Sequence, residues 1–89
     1  MKKDSAYISC QINFYPLYTM DVNEEVKEVI DIIDKSGLKY KSGDLSTAVY
    51  GYSGEVYSLL EEITEKMQQN DRLFSMNISI SNSCGCKVE

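Results

Sequence analysis

The sequence predicts an α+β fold with the element order β-α-β-β-α-β. Three observations carry that expectation. Two segments near the chain ends alternate apolar and polar residues with period two. Two inner segments repeat apolar residues every three or four positions. A turn cluster near the middle splits a further extended region into a hairpin. At 89 residues the chain has room for one such domain and one core.

Residues 6–15 make the first strand. Ile8, Cys10, Ile12 and Phe14 share one face, and Tyr7, Ser9, Gln11, Asn13 and Tyr15 the other. Pro16 has no backbone donor and is expected to end it. Asp21 opens the first helix as N-cap, with Glu24 at the capping-box spacing. Val22, Val26, Val29, Ile30 and Ile33 are its apolar stripe, and Gly37 is its terminating C′ residue. Residues 38–41 form a short strand, 42–44 a turn, and 45–52 the returning strand of a hairpin. Ser53 and Gly54 break the chain, with Ser53 as the next N-cap. Val56, Leu59, Leu60, Ile63 and Met67 then mark the second helix. Residues 68–71 turn out of it. Residues 73–81 alternate again, with Phe74, Met76, Ile78 and Ile80 on the apolar side.

This order is that of a ferredoxin-like sandwich, a four-stranded antiparallel sheet with two helices on one face. The domain spans residues 1–89, with 82–89 a tail carrying Cys84, Gly85 and Cys86.

Composition excludes several functions. Fourteen acidic residues against nine basic ones give a net charge of −5, the wrong sign for binding a phosphate backbone. With no histidine, neither a His-based triad nor a His-ligated metal is available. No apolar run approaches the roughly 20 residues of a membrane helix. The N-terminus leads into an alternating segment rather than an apolar signal block. Three cysteines, an odd number, are read as reduced thiols of a cytoplasmic protein. Cys84 and Cys86 supply two thiolates where structural zinc takes four ligands, so no metal site is expected. The pairs Glu24-Glu25 and Glu61-Glu62 lie on the wet sides of helices, and no activated nucleophile or phosphate loop is present, so the chain reads as a non-enzyme.

The sheet face turned away from the helices is the informative surface. The first and last strands, expected at the centre, bring Ser9, Gln11, Asn13, Ser75, Asn77, Ser79 and Ser81 to it, none of them charged. The hairpin adds either Thr47, Val49 and Gly51 or Ser46, Ala48, Tyr50 and Tyr52, since a one-residue slip exchanges the faces. Short neutral hydrogen-bonding groups beside tyrosines suit partial burial, against a second sheet or a small polar aromatic ligand. A simply hydrated face is the plainer alternative.

Five strings occur in a set order: Phe14-Tyr15-Pro16-Leu17, Ser36-Gly37-Leu38-Lys39-Tyr40, Asp44-Leu45-Ser46-Thr47, Gly51 with Gly54-Glu55-Val56, and Ile78-Ser79-Ile80-Ser81-Asn82. In that order and spacing they resemble the YkoF-like thiamine-binding domains over nearly the whole chain. The resemblance implies a non-enzymatic binder of thiamine or its hydroxymethylpyrimidine moiety. It also implies assembly with itself through sheets, as a homodimer or homotetramer. No resident cofactor is expected, and charge and the lack of a long apolar run argue against nucleic acid or membrane as partner. By the same resemblance Tyr15, Pro16 and Leu17 shape one wall of the site. Ser46 and Thr47 offer hydroxyls to the aminopyrimidine, and Asp44 offers a carboxylate to the exocyclic amine or the thiazolium. Ser79, Ser81 and Asn82 reach the same space from the last strand. The second reading is a ligand-free assembly or regulatory module whose sheet face mates with a partner. Each residue also has a plainer role: Pro16 a strand stop, Tyr15 a core cover, Asp44 a turn residue, Ser46 and Thr47 a strand surface.

Overall fold

The computed structural model describes residues 6–43 and 46–82. The elements run β1 (Tyr7–Leu17), α1 (Val22–Lys35), β2 (Lys39–Ser42), β3 (Thr47–Tyr52), α2 (Ser53–Met67) and β4 (Leu73–Ser81), with a 3-10 turn at Gln69–Asp71 before β4. The sheet order is β2-β3-β1-β4, and every neighbouring pair is antiparallel. This is the expected ferredoxin-like arrangement.

The core lies between the sheet and the helices. Ile8, Cys10 and Ile12 of β1 and Val49 of β3 meet Val29, Ile32 and Ile33 of α1 and Val56, Leu59, Ile63 and Met67 of α2, all buried. Burying each of the larger side chains is worth about 1.5–3 kcal/mol, and this helix-facing layer carries most of that gain. Gly51 also faces the helices. A Cβ there would stand 3.0 Å from Leu38 Cδ2 and 3.6 Å from Val56 Cγ2, so glycine lets α2 sit close on β3.

Several local expectations are corrected. The last strand is at an edge of the sheet, and the centre is β1 and β3. β1 continues through Pro16 to Leu17, paired with Phe74 and Leu73 of β4. Among the described residues the pairing with β3 runs from Tyr7 to Ile12, and Pro16 lies four residues past it, where a residue without an N–H is tolerated. Asp21 is the N-cap of α1 but its side chain makes no cap hydrogen bond, so the capping box does not form. Thr19 Oγ1 instead accepts from the Asp21 N–H at 2.9 Å. Ser53 is the first residue of α2, one position inside the N-cap Tyr52. The buried stripe of α1 includes Ile32 and leaves Val22 exposed. Gly37 has the expected left-handed backbone, φ 81°.

The helices cover the sheet unevenly. Ile78 and Ile80 pair with Ile12 and Cys10 on the helix side, yet they remain 37% and 41% exposed. The outer margin of β4, an edge strand of the described sheet, therefore projects past the helix layer.

Candidate functional site

The register of the hairpin settles which residues form the open face. Tyr52, Tyr50 and Ala48 of β3 stand opposite Tyr7, Ser9 and Gln11 of β1. β4 adds Ser81 opposite Ser9, Ser79 opposite Gln11, Asn77 opposite Asn13, and Ser75 opposite Tyr15. β2 adds Lys39 opposite Tyr50 and Lys41 opposite Ala48. Cross-strand partners share a face, so two transverse rows result: Lys39–Tyr50–Ser9–Ser81 and Lys41–Ala48–Gln11–Ser79.

The second row is low at its centre. Ala48 is the smallest side chain on this part of the face. It is flanked along β3 by Tyr50 and by Ser46, and across the sheet by Lys41 and Gln11. Gln11 Nε2 donates to Ser46 Oγ at 3.1 Å, which fixes both groups on the same side and leaves the Ser46 proton available to donate. The Gly43 N–H donates to the Ser46 carbonyl at 2.8 Å, closing the mouth of the hairpin. Beyond Tyr50, the rings of Tyr7 and Tyr52 meet edge to face, with centroids 5.3 Å apart and planes at 86°, a favourable aromatic geometry. The result is a shallow polar hollow over Ala48, with hydroxyl, amide and phenol groups around it and tyrosine at one end.

The sequence-predicted residues divide among three places. Ser46, Ser79 and Ser81 lie on the open face around or beside this hollow, and Asn82 follows β4 in an exposed bend. Tyr15 and Leu17 also lie on that face, but four and six residues farther along β1 than Gln11, about 13–20 Å away. Pro16 and Thr47 point to the helix side. Pro16 is half-buried opposite Phe74, and Thr47 is 6% exposed opposite Ile12. Ser46 and Thr47 thus cannot present their hydroxyls to one ligand on the open face. Asp44 lies outside the described residues, as do Cys84 and Cys86. Gln11, Tyr50, Ala48 and Lys41 belong to the hollow and were not singled out as ligand contacts. The hairpin register, which the sequence left open, was the missing signal.

Other features are chemically quiet. Cys10 is fully buried, and burial pushes its thiol pKa up, away from the reactive thiolate. Among the described residues no group of three or more His, Cys, Asp or Glu could hold a metal ion. No described helix is long and apolar enough to cross a membrane. A cleft of about 440 Å³ between the end of α1 and the start of α2 is lined by Ser36, Leu38, Glu55, Ser58 and Glu62, on the opposite side of the sheet from the hollow.

Comparison with known proteins agrees with this architecture. A protein of Thermotoga maritima, provisionally assigned to thiamine biosynthesis or salvage, superimposes with a TM-score of 0.79 at 23% identity. The alignment covers 89% of this chain and 86% of that one. A Streptococcus pneumoniae protein matches with a TM-score of 0.78 at 20% identity, covering 84% of each chain. A hypothetical protein of Methanocaldococcus jannascii matches at 0.77 and 18%, covering 93% of each. At these identities the likeness establishes the fold. No curated protein matches the chain. The family model of the YkoF-related family matches residues 7–87, and the chain belongs to that family.

Proposed function

We propose that the protein is a non-enzymatic binder of a small pyrimidine-containing molecule, thiamine or its hydroxymethylpyrimidine moiety, held in the hollow over Ala48. The observation that carries this reading is the Gln11–Ser46 hydrogen bond set beside Tyr50 on a part of the sheet free of described carboxylates. An aminopyrimidine ring needs donors and acceptors at its edge and a π-face against which to stack. Family membership and the provisional assignment of the Thermotoga maritima relative to thiamine biosynthesis or salvage support this ligand class.

The protein works as a homo-oligomer in this proposal. β4 lies at an edge of the described sheet with Ile78 and Ile80 exposed beside it, and a second copy aligned along that edge would pair with its backbone and cover both side chains. That mode leaves the open face accessible.

The test is calorimetric titration of the reduced protein with thiamine and with hydroxymethylpyrimidine. Both are expected to saturate with similar affinity, since recognition rests on the shared ring. Ser46→Ala and Gln11→Ala should each weaken binding about fivefold to tenfold, the worth of one hydrogen bond. A well-folded protein that takes up neither compound would sink the ligand assignment and favour a ligand-free assembly module.

A further inference from the structure

Charge is segregated between the two layers of the molecule. β1, β3 and β4 carry no charged residue, and among the described residues the only charges on a strand are Lys39 and Lys41 of β2. Both are exposed and both stand on the open face, through pairing with Tyr50 and Ala48. The described acids are elsewhere. Glu24, Glu25, Glu28, Asp31 and Asp34 are on α1, and Glu55, Glu61, Glu62 and Glu65 on α2. Asp21 and Asp71 flank those helices. A protein of net charge −5 thus keeps every described carboxylate off the face with the candidate site and puts two ammonium groups beside it.

Resting on the binding reading above, we infer that the ligand's charged end is anionic: the site takes the phosphate monoester of the pyrimidine compound, with the phosphate held by Lys39 and Lys41. The geometry follows from the register. Lys39 and Lys41 are two apart on one strand, so their side chains rise side by side. The rows that contain them lead directly to the Tyr50 ring and to the Ala48 hollow. The small Ala48 side chain leaves space for the Lys41 stem to carry its ammonium over the hollow. With its proton not used toward Gln11, Ser46 adds a neutral donor. A pyrimidine ring stacked at Tyr50 then has its substituent directed toward the β2 edge, where the donors are cationic. Lysines on an edge strand also discourage strand pairing. That role alone predicts no discrimination between a compound and its phosphate.

The experiment is a titration of the full chain with thiamine, thiamine monophosphate, hydroxymethylpyrimidine and hydroxymethylpyrimidine phosphate, with inorganic phosphate as the control. Each phosphate ester is expected to bind at least about tenfold more tightly than its parent at low salt, an advantage that shrinks as ionic strength rises. In the Lys39→Gln, Lys41→Gln double variant the ratio of ester affinity to parent affinity should fall to about one, whatever change the parents themselves show. Both positions are exposed, and a circular dichroism spectrum matched to wild type checks the fold. Equal affinity of ester and parent, or an ester advantage that survives the double variant, would overturn the phosphate assignment and leave the pyrimidine site standing. Binding of inorganic phosphate as tightly as the esters would overturn it as a monoester site. Failure of all four organic compounds would overturn both readings.

Discussion

Ser46 and Thr47 are neighbours in the chain and yet belong to different layers of the molecule. Ser46 is joined to Gln11 on the open face, whereas Thr47 is packed at 6% exposure between the sheet and the helices. Their substitutions should therefore separate. Thr47→Val keeps the shape and adds no charge, and it is expected to leave ligand affinity within about twofold while shifting thermal stability, whichever way the lost hydroxyl counts. Ser46→Ala is expected to do the reverse, lowering affinity with little change in melting temperature. Titration and thermal unfolding of both variants check this, and a Thr47→Val protein that folds normally but loses ligand would move the site to the helix side. Period-two alternation made the faces of β1 and β4 readable from the sequence alone. For β3 it could not, because Ser46, Ala48 and Tyr50 alternate with Thr47, Val49 and Gly51, and both sets are plausible linings. Only pairing with β1 decides between them.

At the scale of elements, apolar periods identified β1, β4 and both helices, a turn cluster identified the hairpin, and the ends were less legible. A cap depends on one side-chain torsion, which local sequence does not determine: Asp21 has the right identity and position but makes no cap bond. Arg72 is an end device that no periodicity marks. Its Nη1 donates to Glu28 Oε1 at 2.8 Å, its Nη2 to the Lys66 carbonyl at 2.8 Å and its Nε to the Gln69 carbonyl at 3.1 Å. One guanidinium thus ties the start of β4 to α1 and to the end of α2, and the contact with Glu28 holds its pKa above the ordinary arginine value. Arg72→Ala should destabilise the fold by about 1–2 kcal/mol, chiefly through the carbonyl bonds, since the half-exposed ion pair contributes little. Urea unfolding measures this, and Glu28→Gln should cost clearly less. Equal losses in the two variants would assign the whole effect to the ion pair.

For the whole molecule, the element order was enough to specify a four-stranded antiparallel sheet with both helices on one side, but the last strand, expected at the centre, lies at an edge. It did not specify how completely two helices cover four strands. That depends on where their axes fall, and here the outer margin of β4 is left bare. If a second copy covers it, Ile80→Lys should abolish assembly without unfolding the monomer, because the side chain is already 41% exposed. Light scattering would then report the 10.1 kDa mass of one chain. A mass unchanged from wild type would place the interface elsewhere.

The distribution of tyrosine has an optical consequence. The chain has no tryptophan and seven tyrosines, and four of them, Tyr7, Tyr15, Tyr50 and Tyr52, stand on the open sheet face. The intrinsic ultraviolet emission of the protein is thus weighted toward one surface. A heteroaromatic ring settling beside Tyr50 would quench part of that light, whereas an event confined to the helix layer would leave most of it unchanged. The native chain, without any label, therefore carries its own reporter of which side of the sheet is occupied.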